Sequence, residues 1–535
     1  MKPPILPHLA LATLSLLLVS AAFHPLDLWP LGWIAFVPWM AYHELRKRRG
    51  TARALMLGYF LHFAYVLMWV GWVAWPLVLM IPLLGLPFVW ILARFADRGV
   101  HKLGLPGIVV YPLAIVTTEV LRDQVLGLTW SSVGYTQWRW IEGVQSASVF
   151  RVYAMSWVIL VANAALARLW LVWRHGEACA ARSAPITARS ARWGLLVAAA
   201  LVAVMHIAGM IRIAAAEFEE GPRAVGVQAS IPQKAKMRKS PRDTWRRQKE
   251  TWDLGGGAAF DPDLLVFAET SFRPVHLPGE SLESRVEIPF WGGWFPRGRG
   301  QQTVLGYVKT RVISPGEMEK FNIAGVVADG RTLVTESRKR KLVPFGEYIP
   351  VPEGFPGRDA LIDLVESFAG YVPNQTPGTS FGGATLETRD HRWHYGLNVC
   401  YEMVFPPELL GLMRARNPDF IVNISNDGWY GESNELDLVH VATRFRAVET
   451  GRAIFRVSNT GISTSVDPIG RYRSTVEVDG VRKSVRGLLK DTIPVARGTT
   501  VWVRLGDWTC AVFPLALLLA ALHRFRRRGA PPATS

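Results

Sequence analysis

The stretch "GLNVCYEMVF", residues 396–405, carries a single cysteine at the end of an apolar run, directly before a Tyr-Glu pair. Cys400 is one of only three cysteines in 535 residues, and Cys179 and Cys510 are far from it in sequence. No CxxC or Cys/His spacing is present, so neither a disulfide framework nor a zinc site is expected. A buried, inert cysteine is the commoner outcome for an isolated case. A free thiol in an oxidising compartment is a liability unless it is used, so the compartment and the neighbours of Cys400 decide between these readings.

Outward from Cys400, residues 223–495 alternate short β-type runs with turns. "RAVGVQASI", "LLVFAE", "TVLGYVKTRV", "NIAGVVAD", "YGLNVC", "FIVNIS" and "AIFRVSN" are rich in Val and Ile. Leu438, Val441, Ala442, Phe445 and Val448 recur at helical spacing. Most of the strands are continuously apolar, which fits sheets covered on both faces and predicts an α/β layered domain. Glu269 and Cys400 each end a strand, where α/β domains often place reacting groups.

The rest of the chain is more apolar. Half of all residues are hydrophobic and only 19% are charged. Stretches long enough to cross a bilayer lie near 5–22, 28–44, 54–74, 76–93, 106–121, 152–172, 194–213 and 508–523. The expected organisation is a membrane domain of seven helices over 1–213, a catalytic domain over 214–507, and an eighth helix with a basic tail over 508–535. The net charge of +17 collects at alternate loops: Arg46 to Arg49, Arg94 to Lys102, Arg174 to Arg192, and Arg524 to Arg528. The intervening short loops hold only Arg122, Arg139 and Arg151. The positive-inside rule then puts both termini in the cytoplasm and the 214–507 domain outside it. Basicity is therefore a topology signal, and nucleic-acid binding is not expected because aromatic–basic patches are lacking. Glu119 and Arg122, three apart on one helix face, are expected to be structural.

Thiolate chemistry needs a base and a cation. In "LLVFAETSF" Glu269 follows an apolar run, an odd place for an unpaired carboxylate. In "SRKRKLVPFGEYIP", residues 337–350, four cations and Glu347 stand at the mouth of an apolar segment. Spacing alone leaves open which of Arg338, Lys339, Arg340 and Lys341 points inward.

"AET", "KRKLVPFGEYIP" and "NVCYE", in this order, resemble the Glu-Lys-Cys triad of the nitrilase superfamily, and the whole chain resembles the apolipoprotein N-acyltransferase family. The likeness extends to "QASIPQ", "NISNDGWYG", "HVATRFRAVETGR" and "VSNTGIS". It also reaches the membrane stretches "FHPLDLWPLGW", "TTEVLRDQVLGLTWSSVGYTQ" and "VYAMSWVILVAN". The chain departs from the family's pattern at Met237, Ser337 and Phe267-Ala268.

The resemblance implies an αββα sandwich for the extracytoplasmic domain and selects Lys339, eight residues before Glu347. It implies that Glu269, Lys339 and Cys400 are catalytic, supported by Glu347, Glu402, Tyr401, Asn322 and Trp429. The implied reaction moves an sn-1 acyl chain from a membrane phospholipid, through a Cys400 thioester, to the α-amino group of the diacylglyceryl-cysteine of an apolipoprotein. The implied setting is a bacterial inner membrane, with the enzyme a monomer needing no cofactor and no metal. The alternative is a membrane-tethered carbon–nitrogen hydrolase. Two stretches suit a lid toward the bilayer: "FWGGWFPRG" at 290–298, and "ALIDLVESFAGYV" at 360–372 with Leu361, Leu364, Val365 and Phe368 on one face.

The charge pattern makes a direct prediction. A reporter fused near residue 300 reads as extracytoplasmic and one fused at residue 185 as cytoplasmic. Both on one side would overturn the orientation.

Overall fold

Strands that are apolar on both faces need two layers of cover, and the second half of the chain provides them by facing two sheets toward each other. The computed structural model describes residues 6–45, 51–72, 75–127, 129–176, 186–233, 241–272, 275–277, 301–314, 317–328, 332–369, 372–388 and 390–529. The chain divides into two compact units. One comprises residues 1–68, 76–215 and 504–535, and the other residues 69–75 and 216–503.

The first unit is helical. It begins with α1 (Leu6–Ala21), α2 (Val37–Leu45), α3 (Thr51–Val66), α4 (Leu77–Ala96) and α5 (Gly107–Leu126). It continues with α6 (Tyr153–His175) and α7 (Ala188–Ala214). Among the described residues four helices are long and apolar enough to cross a membrane: Leu77–Lys102, Tyr153–His175, Ala188–Ala214 and Val501–Arg526. Ala10–Ala21 and Leu55–Val66 are shorter apolar helices. The stretch 28–44 is not one continuous helix. It folds as a 3-10 turn, Trp29–Trp33, followed by α2. Pro30 and Pro38 lack an N–H and start a helix more readily than they continue one.

Arg122 and Glu119 are both buried in this unit, but they do not form the expected pair. Arg122 Nη2 is 2.6 Å from the carboxylate of Asp123 and also donates to Ser132, while Nη1 donates to Ser131. Glu119 instead accepts the Val133 backbone N–H at 2.8 Å. A buried guanidinium takes the nearest carboxylate with matching geometry, and that is its chain neighbour.

The second unit holds two sheets. The first contains β1 (Glu219–Gln228), β2 (Leu264–Phe267), β3 (Val275–Leu277), β4 (Gln302–Ser314), β5 (Glu317–Ala328) and β6 (Thr332–Arg338). The second contains β7 (Gly382–Glu387), β8 (Arg392–Val399), β9 (Phe420–Ser425), β10 (Ala453–Ser458), β11 (Thr464–Val466) and β12 (Tyr472–Thr475). A last strand, β13 (Gly487–Val495), returns to the first sheet. The spatial orders are β13-β1-β2-β4-β5-β6, with β3 beside β4, and β12-β11-β10-β9-β8-β7. The central pairs β1–β2, β2–β4, β8–β9 and β9–β10 are parallel.

Gly226 of β1 faces Val457 and Phe455 of β10, with no room for a Cβ between the sheets. On the outer face of the first sheet, Trp252 of helix α8 (Pro241–Leu254) joins Val225, Phe267 and Leu305 in one core. On the outer face of the second, α10 (Pro406–Arg416) and α11 (Glu435–Thr450) contribute Leu409, Met413 and Ala447 to a core with Ile421 and Ile454. Between these helices in sequence lies α9 (Arg358–Ala369). The layers run helix, sheet, sheet, helix, and the last described helix, α12 (Val512–Gly529), belongs to the first unit.

Gly306 in β4 marks where the backbone after β2 comes closest. A Cβ there would stand 2.5 Å from the Ala268 carbonyl oxygen and 2.6 Å from Glu269 Cα. Both are backbone atoms, so the strand and the turn would have to part. Gly306→Ala is expected to cost about 1–3 kcal/mol, read as a lower denaturation midpoint in detergent. It should also displace Glu269 and slow any chemistry that depends on it.

Candidate active site

The C-terminal ends of β2, β6 and β8 bring together residues far apart in sequence. The backbone leaves β2 through Ala268 to Glu269, which is 4% exposed. Glu269 Oε1 accepts Asn322 Nδ2 at 2.5 Å, and Oε2 accepts the Asn426 backbone N–H at 2.7 Å. Lys339, one residue past β6 and 1% exposed, places Nζ 3.5 Å from Glu269 Oε1 and 2.8 Å from Glu347 Oε1. Glu347 Oε2 accepts the Val343 N–H at 2.9 Å, which closes the loop that carries it.

The structure resolves the choice among the four cations. Arg338 lies over the Phe321 ring, and Arg340 over Phe381 with an ion pair to Glu408 at 3.2 Å. Lys341 lies over the Phe405 ring. Only Lys339, of these four, is fully buried against the carboxylates. Alternation separates Lys339 from Arg338 and Arg340, because successive residues leaving a strand point to opposite sides.

Cys400 follows β8 and opens a 3-10 turn, Cys400–Val404. Its φ is +55°, a left-handed conformation that non-glycine residues rarely adopt. Such outliers persist where surrounding contacts over-determine them. Glu402 supplies those contacts. One of its oxygens accepts the Val399 N–H at 2.7 Å; the other accepts the N–H groups of Arg340 at 2.6 Å and Lys341 at 3.2 Å. The carboxylate thus ties the cysteine turn to the lysine segment. Burial raises the pKa of Glu402 and the Val399 and Arg340 N–H groups lower it, leaving it pushed up to about 7.

The electrostatics suit an acid–base site. Burial pushes the Cys400 thiol well up, Glu269 adds to this, and Lys339 opposes it. Burial works against the Lys339 charge, yet Cys400, Glu347 and Glu269 together hold it well above the usual ammonium range. The thiol thus lies within electrostatic reach of both the Lys339 ammonium and the Glu269 carboxylate.

The remaining expected residues fall around this cluster. Asn322 donates to Glu269 and, at 3.4 Å, to Glu347, and its backbone carbonyl accepts the Lys339 N–H at 2.8 Å. Tyr401 is buried with its ring edge-on to Phe405 at 4.7 Å. Trp429 is half-buried in a 3-10 turn, Asp427–Tyr430. Of the two lid stretches, 290–298 lies outside the described residues, as do Met237, Cys179 and the Phe368 side chain. In α9, Val365 is buried and Leu364 is 48% exposed.

A buried polar row beneath the cysteine turn was not anticipated. Asn398, Asn423 and Arg456 are register neighbours across β8, β9 and β10. Asn423 Nδ2 donates to Asn398 Oδ1 at 2.7 Å, and Arg456 donates to Asn423 Oδ1. Arg456 Nη2 reaches Asp427 Oδ2 at 2.7 Å, which also accepts Ser458 Oγ at 2.8 Å. The sequence does hold a signal for this row. "YGLNVC", "FIVNIS" and "AIFRVS" each carry a polar residue at the fourth position and end in Cys or Ser.

Comparison with known proteins places this arrangement. Residues 300–476 match the carbon–nitrogen hydrolase model, and residues 15–165 match that of the apolipoprotein N-acyltransferase N-terminal domain. An apolipoprotein N-acyltransferase of Geobacter metallireducens is 28% identical over 97% of this chain and 95% of its own. One of Rhodopseudomonas palustris is 26% identical over the same shares, 97% and 95%. One of Azotobacter vinelandii is 31% identical over 52% of this chain and 49% of its own. The second unit is thus a nitrilase-like carbon–nitrogen hydrolase domain, in a membrane protein. Over nearly its whole length the chain is similar to apolipoprotein N-acyltransferases, and its helical part matches the N-terminal domain model of that family.

The polar row has a measurable consequence. Asp427→Ala leaves Arg456 buried without its carboxylate and is expected to cost about 3–5 kcal/mol, measured by denaturant unfolding. A cost below about 1 kcal/mol, the scale of an ordinary substitution, would mean that the ion pair does not hold the β9–β10 ends together.

Proposed function

We propose that the protein is an acyltransferase of lipoprotein maturation, working through an enzyme thioester on the extracytoplasmic side of a bacterial inner membrane, with both termini in the cytoplasm. The observation that carries the reading is the joining in one chain of an N-acyltransferase-type helical domain to a hydrolase domain with a buried glutamate–lysine–cysteine cluster. The hydrolase alternative is not favoured, because the likeness to N-acyltransferases runs through the helical unit as well. The acceptor is a lipoprotein, and the donor is a membrane phospholipid.

In the first step Glu269 takes the Cys400 thiol proton as the sulfur attacks the sn-1 ester carbonyl. The raised thiol makes this base necessary, since little thiolate exists at rest. Negative charge develops on the carbonyl oxygen. Lys339 and the Tyr401 backbone N–H stabilise it, one such donor being worth about 3–4 kcal/mol. The ester C–O bond breaks, and the lysophospholipid oxygen leaves with the proton from Glu269. In the second step the α-amino group of the diacylglyceryl-cysteine attacks the thioester. Glu269 takes the amine proton and returns it to the departing sulfur, and an amide is formed. Asn322 and the Asn426 N–H fix both oxygens of Glu269 for these transfers. Glu347 keeps Lys339 aimed and charged. Glu402 holds the two loops in register.

Mass spectrometry of the intact protein after incubation with phospholipid vesicles is the test. The wild type gains one acyl mass on Cys400. Cys400→Ser, Glu269→Gln and Lys339→Ala gain none, whereas Lys341→Ala and Cys510→Ser retain most of it. Adding a diacylglyceryl peptide discharges the adduct to an N-acyl product. Release as free acid with the peptide unchanged would favour the hydrolase.

A further inference from the structure

A second cluster of ligating side chains lies within the helical unit. His43 of α2, Asp97 and His101 each offer one donor atom, and the three atoms lie within 4.8 Å of one another. His43 is 1% exposed. Its Nε2 is 3.0 Å from Asp97 Oδ1 and its Nδ1 is 2.9 Å from the Tyr111 hydroxyl. The two imidazole rings are 4.7 Å apart. Asp97 and His101 belong to one π-helical turn, Asp97–Lys102, which continues α4. Turns of this kind are rare and recur at functional sites. Spaced four positions apart on a widened turn, Asp97 and His101 face the same side, toward α2.

We propose that His43, Asp97 and His101 bind a zinc ion that clips the end of α2 to the π-turn after α4. Two imidazoles and a carboxylate are a borderline-soft donor set of the kind zinc takes, with a fourth position left to water. Zinc bonds of about 2.0–2.2 Å place tetrahedral donor atoms about 3.3 Å apart. The His43–Asp97 spacing of 3.0 Å is already close to that. Rotation of the His101 ring brings the third donor in. Tyr111, 1% exposed, supplies the outer partner that orients a metal-ligating histidine. Without metal, Nε2–H donates to Asp97 and Nδ1 accepts from Tyr111. With zinc the proton sits on Nδ1 and is donated to the Tyr111 oxygen, which frees the Nε2 lone pair.

The test uses the full-length chain without a histidine tag, in detergent, stripped by chelator, incubated with zinc and desalted. The expected result is about one zinc per chain by elemental analysis, as a single site of this kind requires. Cobalt substitution should give the visible bands of a four-coordinate ion. Asp97→Asn and His101→Ala should retain less than about a tenth of the metal, and Tyr111→Phe should bind about 10–100-fold more weakly. Acyl-adduct formation on Cys400 and a monodisperse elution profile serve as the check on folding. Wild-type protein that retains no zinc overturns the proposal whatever the variants do. So does His101→Ala that retains as much zinc as the wild type.

Discussion

A single buried ammonium governs the catalytic domain. Lys339 is 1% exposed, and taking such a charge out of water costs several kcal/mol unless partners replace the water. Glu347 at 2.8 Å and Glu269 at 3.5 Å are those partners. They come from different segments: Glu347 from the loop after β6, Glu269 from the turn after β2. Asn322 bridges both carboxylates and also fixes the lysine backbone. Glu402, from the second sheet, binds the two N–H groups that follow Lys339. Removing any one partner leaves a buried charge or a buried donor unsatisfied, so the cluster is held as a unit.

The same constraint explains why the cysteine turn is strained. β8 runs parallel to β9 and ends at Val399. To face the lysine, the chain must turn at once, and Cys400 takes φ +55° to do so. The energy for that conformation comes from Glu402 and from the polar row in the middle of the second sheet. Asn398, Asn423, Arg456 and Asp427 are all buried and mutually hydrogen-bonded. They give three apolar strands a fixed register at the level just before the site, since a slipped strand would bury these groups without partners.

In the helical unit the balance differs. Apolar surface is plentiful, and polar groups are few and concentrated. Arg122 with Asp123, and His43 with Asp97, are placed where helices end or change pitch. The backbone has unpaired groups at those points and side chains can approach closely. These contacts are long-range or between chain neighbours, and helical periodicity does not reveal them.

The layered α/β domain and the separation of an apolar helical part from it were legible in the sequence, because they follow from local pattern. Continuous Val/Ile runs demand two-sided burial, and strand ends carry the polar residues. Glu269 and Cys400 stood out for the same reason, each a reactive group closing an apolar run. The nature of residue 28–44 was not legible. Its hydropathy resembles a span, but proline placement breaks it into a turn and a short helix. Nor was Asp123 seen as the partner of Arg122, since spacing three apart suggested Glu119. By itself the sequence determined which chemical groups are present and on which kinds of element they sit. The resemblance singled out Lys339 among four adjacent cations, but spacing did not, and only the tertiary structure decided how its ammonium meets Glu269 and Glu347 and which polar residues inside apolar strands line up. Those outcomes depend on strand register and on charge burial between segments about a hundred residues apart, and no local spacing encodes them.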